Sequence, residues 1–144
     1  MHRLESISID LVTRLRTAST AKQRAATLAA CEFAVSRSGI RNATTDKAMS
    51  ELRTTGTISP KTTAELQAIV EQLDDEAFHA QEASDVRQGS NEDYLAAFAR
   101  ARCGAAISLA GTADPLEAAL EAIYEAAMTA DEPEKIISVV QGAL

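Results

Sequence analysis

The sequence predicts an all-α fold, a single-domain bundle of six or seven mostly antiparallel helices with Ala-rich central helices. Three observations carry this. Of 144 residues, 29 are Ala, against six Gly and three Pro. Alanine is the best helix former, and the shortage of Gly and Pro leaves little material for tight β-turns. Apolar residues recur at helical spacing, and no useful stretch alternates with period two. Cap and stop signals then divide the chain into seven segments joined by mostly short connections, which favour antiparallel neighbours. The length supports one core and is short for two, so residues 1–144 are read as one helical domain.

The first helix is expected over 3–16, with Leu4, Ile7, Leu11 and Leu15 on one face. The second begins at Thr20, where Thr20 and Gln23 have capping-box spacing, and ends at Ser38-Gly39. A short third helix covers 46–55 and stops at Gly56. The fourth opens on Ser59-Pro60, a cap followed by Pro at the first helical position, and runs to about 88, before Gly89. The fifth starts at Ser90 or Asn91 and reaches 110, before Gly111. The sixth has the cleanest start, with Asp114 as cap, Pro115 first and Glu117 third. The seventh runs from 131–133 to about 143.

In the fourth helix Leu66, Ile69, Val70, Leu73, Ala77 and Ala80 share one face. In the sixth, Leu116, Ala119, Leu120, Ile123 and Ala127 do so. The second is apolar around most of its circumference, from Ala25 to Val35. The fifth is similar, with Tyr94, Phe98, Ala101 and Ala105 beside Leu95, Ala99 and Ala106. Helices apolar nearly all round are surrounded by others, so the second and fifth are expected to be the most buried.

Composition excludes several classes. No apolar run approaches the roughly 18 residues of a membrane span, and residues 1–16 lack a signal-peptide core, so a cytoplasmic protein is expected. Cys31 and Cys103 lie in separate helices without a CxxC spacing, so neither zinc nor a disulfide framework is indicated. A net charge of -7 argues against nucleic acid as a partner. Ten Arg against four Lys, with abundant Ala, hint at a GC-rich bacterial genome.

The charge is uneven. Residues 1–61 hold ten basic and five acidic side chains, net +5, and residues 62–144 hold four and sixteen, net -12. Such asymmetry bears on association and steering rather than on fold. The acids gather on two faces. On the fourth helix Glu71, Asp74, Asp75, Glu82 and Asp85 lie opposite the aliphatic stripe, with Phe78 in their midst. Phe78 sits about 130° from the stripe's centre, so one packing face cannot bury both. On the sixth helix Glu117, Glu121 and Glu125 form an i, i+4, i+8 ridge bordered by Tyr124 and Met128. Like charges at i, i+4 repel by a few tenths of a kcal/mol, about 0.2–0.5 per pair. These nine residues are the candidate partner-binding set, suited to a basic protein. The competing readings are a solvated face, Phe78 as core, or basic N-terminal helices that neutralise the acids within the fold.

Catalytic patterns are missing from the sequence. Glu76-x-x-His79 resembles half of a di-iron ligand pair, but its complement is absent and His79 borders the polar face. No Ser-His-Asp set has sequence support, and Gly56, Gly89, Gly104 and Gly111 are isolated. The segment within 46–70 is too long for a helix-turn-helix turn. No cofactor, metal ligand or catalytic residue is therefore assigned.

Two functions follow. One is a non-enzymatic protein-binding protein, an adaptor, inhibitor or immunity-like protein for a basic partner. The other is a small-molecule carrier or enzyme with a pocket inside the bundle, lined by Tyr94, Arg100 and Arg102. An Arg102 paired inside a closed core favours the first. A homo-oligomer is compatible with both.

Overall fold

The computed structural model describes residues 2–87 and 92–144, with side chains described outside 85–87. Its elements are a 3-10 turn (Arg3–Ser6), α1 (Ile9–Thr17), α2 (Thr20–Ser38), α3 (Ala43–Thr55), α4 (Pro60–Arg87), α5 (Glu92–Ala110), α6 (Pro115–Ala127) and α7 (Lys135–Gln141). Every described element is helical, and they pack as an all-α bundle.

The boundaries follow local chemistry. The expected first helix is split in two, because Ser8 caps α1 by accepting from Leu11 N and breaks the preceding turn. The cap of α2 is Ser19, which accepts from Lys22 N. Gln23 therefore does not complete a capping box with Thr20, and its amide donates to Leu15 O at 2.9 Å instead. Asn42 takes the amides of Thr44 and Thr45 and starts α3 three residues ahead of the expected Asp46. Gly39 and Gly56 end α2 and α3 in the left-handed region, with φ of 67° and 77°. Asp114 caps α6 through Leu116 N and Glu117 N, with Pro115 first, as its sequence indicates. The expected starts and stops at Gln88, Gly89, Ser90 and Asn91 lie outside the described residues.

One junction is held by side chains. Glu51, near the end of α3, accepts from Ser59 N and from the buried Thr62 hydroxyl at the start of α4. The Thr62 bond, then the Ser59 amide, hold this carboxyl below the usual range.

The core lies where α2, α5 and α6 meet, with α4 against α5. Packing order differs from the sequence expectation. The most continuously buried helix is α6, whose Ala118, Ala119, Leu120, Ala122, Ile123, Glu125, Ala126 and Ala127 are all buried. By contrast α2 leaves Ala21, Ala25 and Glu32 exposed. The reason is residue size. Alanine covers little area wherever it points, so an apolar circumference made of Ala does not itself require a neighbour on every side. Small residues do let helices approach closely. A Cβ on Gly104 of α5 would lie 3.0 Å from Leu73 Cδ1 of α4.

Cys31 and Cys103 are both buried free thiols, and burial pushes Cys103 up to about 11. Neither is placed to act as a nucleophile. No helix among the described residues is long and apolar enough to cross a membrane.

Candidate functional site

The two acidic faces differ once folded. On α6 the carboxylates are occupied from within the chain. Glu125 is buried, 5% exposed, between two guanidinium groups. Arg102 Nη1 donates to Glu125 Oε2 at 2.9 Å, and Arg3 Nη2 to Oε1 at 3.4 Å. Arg3 Nη2 also reaches Glu121 Oε2 at 2.7 Å, and its guanidinium lies 4.2 Å from the centre of the Tyr124 ring. His2 Nε2 meets Glu121 Oε1 at 2.8 Å. Burial opposes ionisation of Glu121, but hydrogen bonds from His2 and Arg3 outweigh it and leave this carboxyl below its ordinary value. Two members of the ridge read as a partner surface are therefore corrected. Glu121 and Glu125 bind the N-terminal turn and α5, and Glu117 alone remains exposed. The repulsion along the ridge is offset inside the fold by side chains distant in sequence, which no local pattern announces.

His2, Glu117 and Glu121 bring three ligand atoms within 4.8 Å of one another. The hydrogen bonds disfavour a cation there. Leu4 N donates to His2 Nδ1 at 3.0 Å, so the proton of the neutral ring sits on Nε2, the nitrogen that faces the carboxylates. A metal on Nε2 would require moving that proton to Nδ1, against the Leu4 amide.

On α4 the arrangement is the reverse. Glu71, Asp75 and Glu82 are exposed and form no ion pair among the described residues. Asp74 is half-exposed and accepts from Arg102 Nη2 at 2.9 Å, which makes it the one side chain of this face tied into the core among the described residues. Asp85 continues the helix, with its side chain outside those described. Phe78 is 57% exposed amid these acids, so the reading of Phe78 as core does not hold. Its ring meets that of His79 edge-on, with centroids 6.0 Å apart. His79 is itself exposed, and its Nδ1 lies 2.7 Å from Asp75 O.

The position of Phe78 along the hairpin explains its exposure. The last buried side chain described on α4 is Ala77, and the first on α5 is Ala97. Residues 78–84 and 92–96 include none. Gly104 lies against Val70 and Leu73 while Arg102 reaches Asp74, so α4 and α5 run antiparallel and both stretches fall at one end of the hairpin. Leu95, 52% exposed, belongs to this end as well. Sequence periodicity placed Leu95 beside a packed stripe. The spacing was right, but no described side chain over 92–96 is buried at this end of α5.

Of the three residues expected to line an internal pocket, Arg102 is paired within the fold: its two Nη atoms donate to Asp74 and Glu125 and its guanidinium lies 5.6 Å from the Phe98 ring, while its buried Nε has no partner among the described residues. Three surface clefts of about 190 to 210 Å³ fall below the roughly 300–1,000 Å³ of drug-sized ligand sites, and a more open depression of about 440 Å³, lined by His2, Arg3, Glu5, Ser6, Ile9 and Tyr124, falls within that range but lies outside the bundle interior. Comparison with family models, curated proteins and solved structures finds no match.

Proposed function

We propose that this chain is a non-enzymatic protein-binding module that engages a basic partner through the far end of α4, in the manner of an adaptor, inhibitor or immunity protein. The observation that carries the reading is the exposed Phe78 set among Glu71, Asp75 and Glu82, which form no ion pair among the described residues. Leaving a Phe side chain in water forgoes about 1.5–3 kcal/mol of burial. An aromatic anchor ringed by one sign of charge is the composition of an interface centre with steering groups around it. The docking surface comprises Phe78 with Glu71, Asp75 and Glu82. Asp74 joins it at the edge, since Arg102 already holds one of its oxygens.

The test is photo-crosslinking in the native host from a benzoylphenylalanine placed at Gln81, which is exposed one helical turn from Phe78. The reading expects one dominant adduct with a basic protein, lost when Phe78 is also changed to Ala. Adducts with many unrelated proteins, or one that survives Phe78→Ala, would reject it.

A further inference from the structure

A cleft of about 190 Å³ lies where the α2–α3 connection meets α4 and α5, lined among others by Arg41, Asn42, Gln72, Glu76 and Arg100. Its polar groups are mainly donors. Arg100 is half-buried, projecting from a helix that is otherwise largely apolar, and Arg41 is exposed across the cleft. Neither guanidinium makes an ion pair or a side-chain hydrogen bond among the described residues, although acids outnumber bases 21 to 14 along the chain. The orientation of Asn42 is fixed, because its Oδ1 accepts from Thr44 N and Thr45 N. Its amide group is thereby left as a further donor. The one carboxylate of the lining, Glu76, is exposed and accepts from Gln72 Nε2 at 3.3 Å.

We propose that this cleft binds a small phosphate monoester between Arg41 and Arg100. Guanidinium groups match oxyanions with paired N–H donors, and a half-buried one without an acceptor forgoes charge-assisted bonds that such a ligand supplies. The lining donors belong to separate elements, Arg41 and Asn42 to the α2–α3 connection and Arg100 to α5, and a tetrahedral phosphate has oxygens to offer to several such donors at once. The volume that is too small for a drug-sized ligand suits a phosphate on a short carbon chain. Glu76 belongs to the same lining, so a ligand carrying a second negative group beside it would be repelled. The cleft is separate from the docking face. Phe78 lies about 200° around α4 from Glu76, so either assignment can fail without the other.

The experiment is a nitrogen-15 amide titration of the full chain with inorganic phosphate, glycerol 3-phosphate and malonate at constant ionic strength. The expected result is saturable shifts confined to residues 40–43, 69–76 and 99–101, with glycerol 3-phosphate tighter than malonate. Arg100→Gln and Arg41→Gln should each weaken binding about tenfold, while Lys22→Gln, remote on α2, should not. Non-saturating shifts spread over all basic positions would overturn the site. So would full affinity in Arg100→Gln, or tighter binding of malonate, which would assign the cleft to carboxylates instead.

Discussion

Two helices carry acidic faces, and the fold treats them in opposite ways. On α6 the carboxylates of Glu121 and Glu125 are joined to His2, Arg3 and Arg102 and close the N-terminal turn and α5 onto the core. On α4, Glu71, Asp75 and Glu82 face solvent without partners among the described residues, around an exposed Phe78. Carboxylates on a helix face thus hold the fold together at Glu121 and Glu125, whereas on α4 only Asp74 does so among the described residues. What separates them is whether a cation from elsewhere in the chain reaches the face. Arg102 makes the boundary visible, with one nitrogen on the buried Glu125 and the other on the half-exposed Asp74.

The largest expected effect is on α6. Glu125→Ala leaves two guanidinium groups sharing one fewer carboxylate and should lower stability by about 3 kcal/mol, read by urea denaturation. Glu82→Ala on α4 should change it by less than about 0.5 kcal/mol. Equal losses would erase the distinction between the faces. Arg102→Met comes next. It strips Glu125 of its shorter ion pair but keeps the packing of the side-chain stem and leaves Arg3 in place, so about 1–2 kcal/mol is expected.

The contrast also has a pH signature. Glu121 is held below its ordinary value in the folded state, so its contribution is complete above the unfolded pKa of about 4.3. It is lost as the pH falls through the lower folded value. The stability difference between the wild type and Glu121→Gln should therefore be retained at pH 5 and shrink progressively below about pH 4. A difference that persists undiminished in acid would mean that the carboxylate charge is not what holds the N-terminal turn.

Most of the fold was legible because it rests on local signals. The α4 start at Pro60, the α6 cap at Asp114 and the stops at Gly39 and Gly56 are each set by residues within one helical turn. The centre of the bundle was less legible, since alanine gives weak directional information and α6, not α2, proved the most continuously buried helix. The split between the two acidic faces was hidden. His2 and Arg3 reach partners 119 and 118 positions away, and only tertiary packing brings them there. Phe78 was readable, because its angle to the aliphatic stripe follows from spacing alone. The exposure of Leu95 was not, because periodicity tells which face of a helix is apolar and not where along the helix the burial begins.

The smallest expected effect on folding belongs to the residue most important to the proposed function. Phe78→Ala should leave urea stability within about 0.5 kcal/mol of the wild type. Charge reversal at Glu71, Asp75 and Glu82 should do the same, while slowing association with a basic partner and weakening its salt dependence. The most direct test is a titration of the crosslinked partner against wild-type and Phe78→Ala protein, with melting followed in parallel. The docking account predicts an affinity loss of about fivefold or more with an unchanged melting temperature. Unchanged affinity, or a loss matched by a melting temperature several degrees lower, would contradict it.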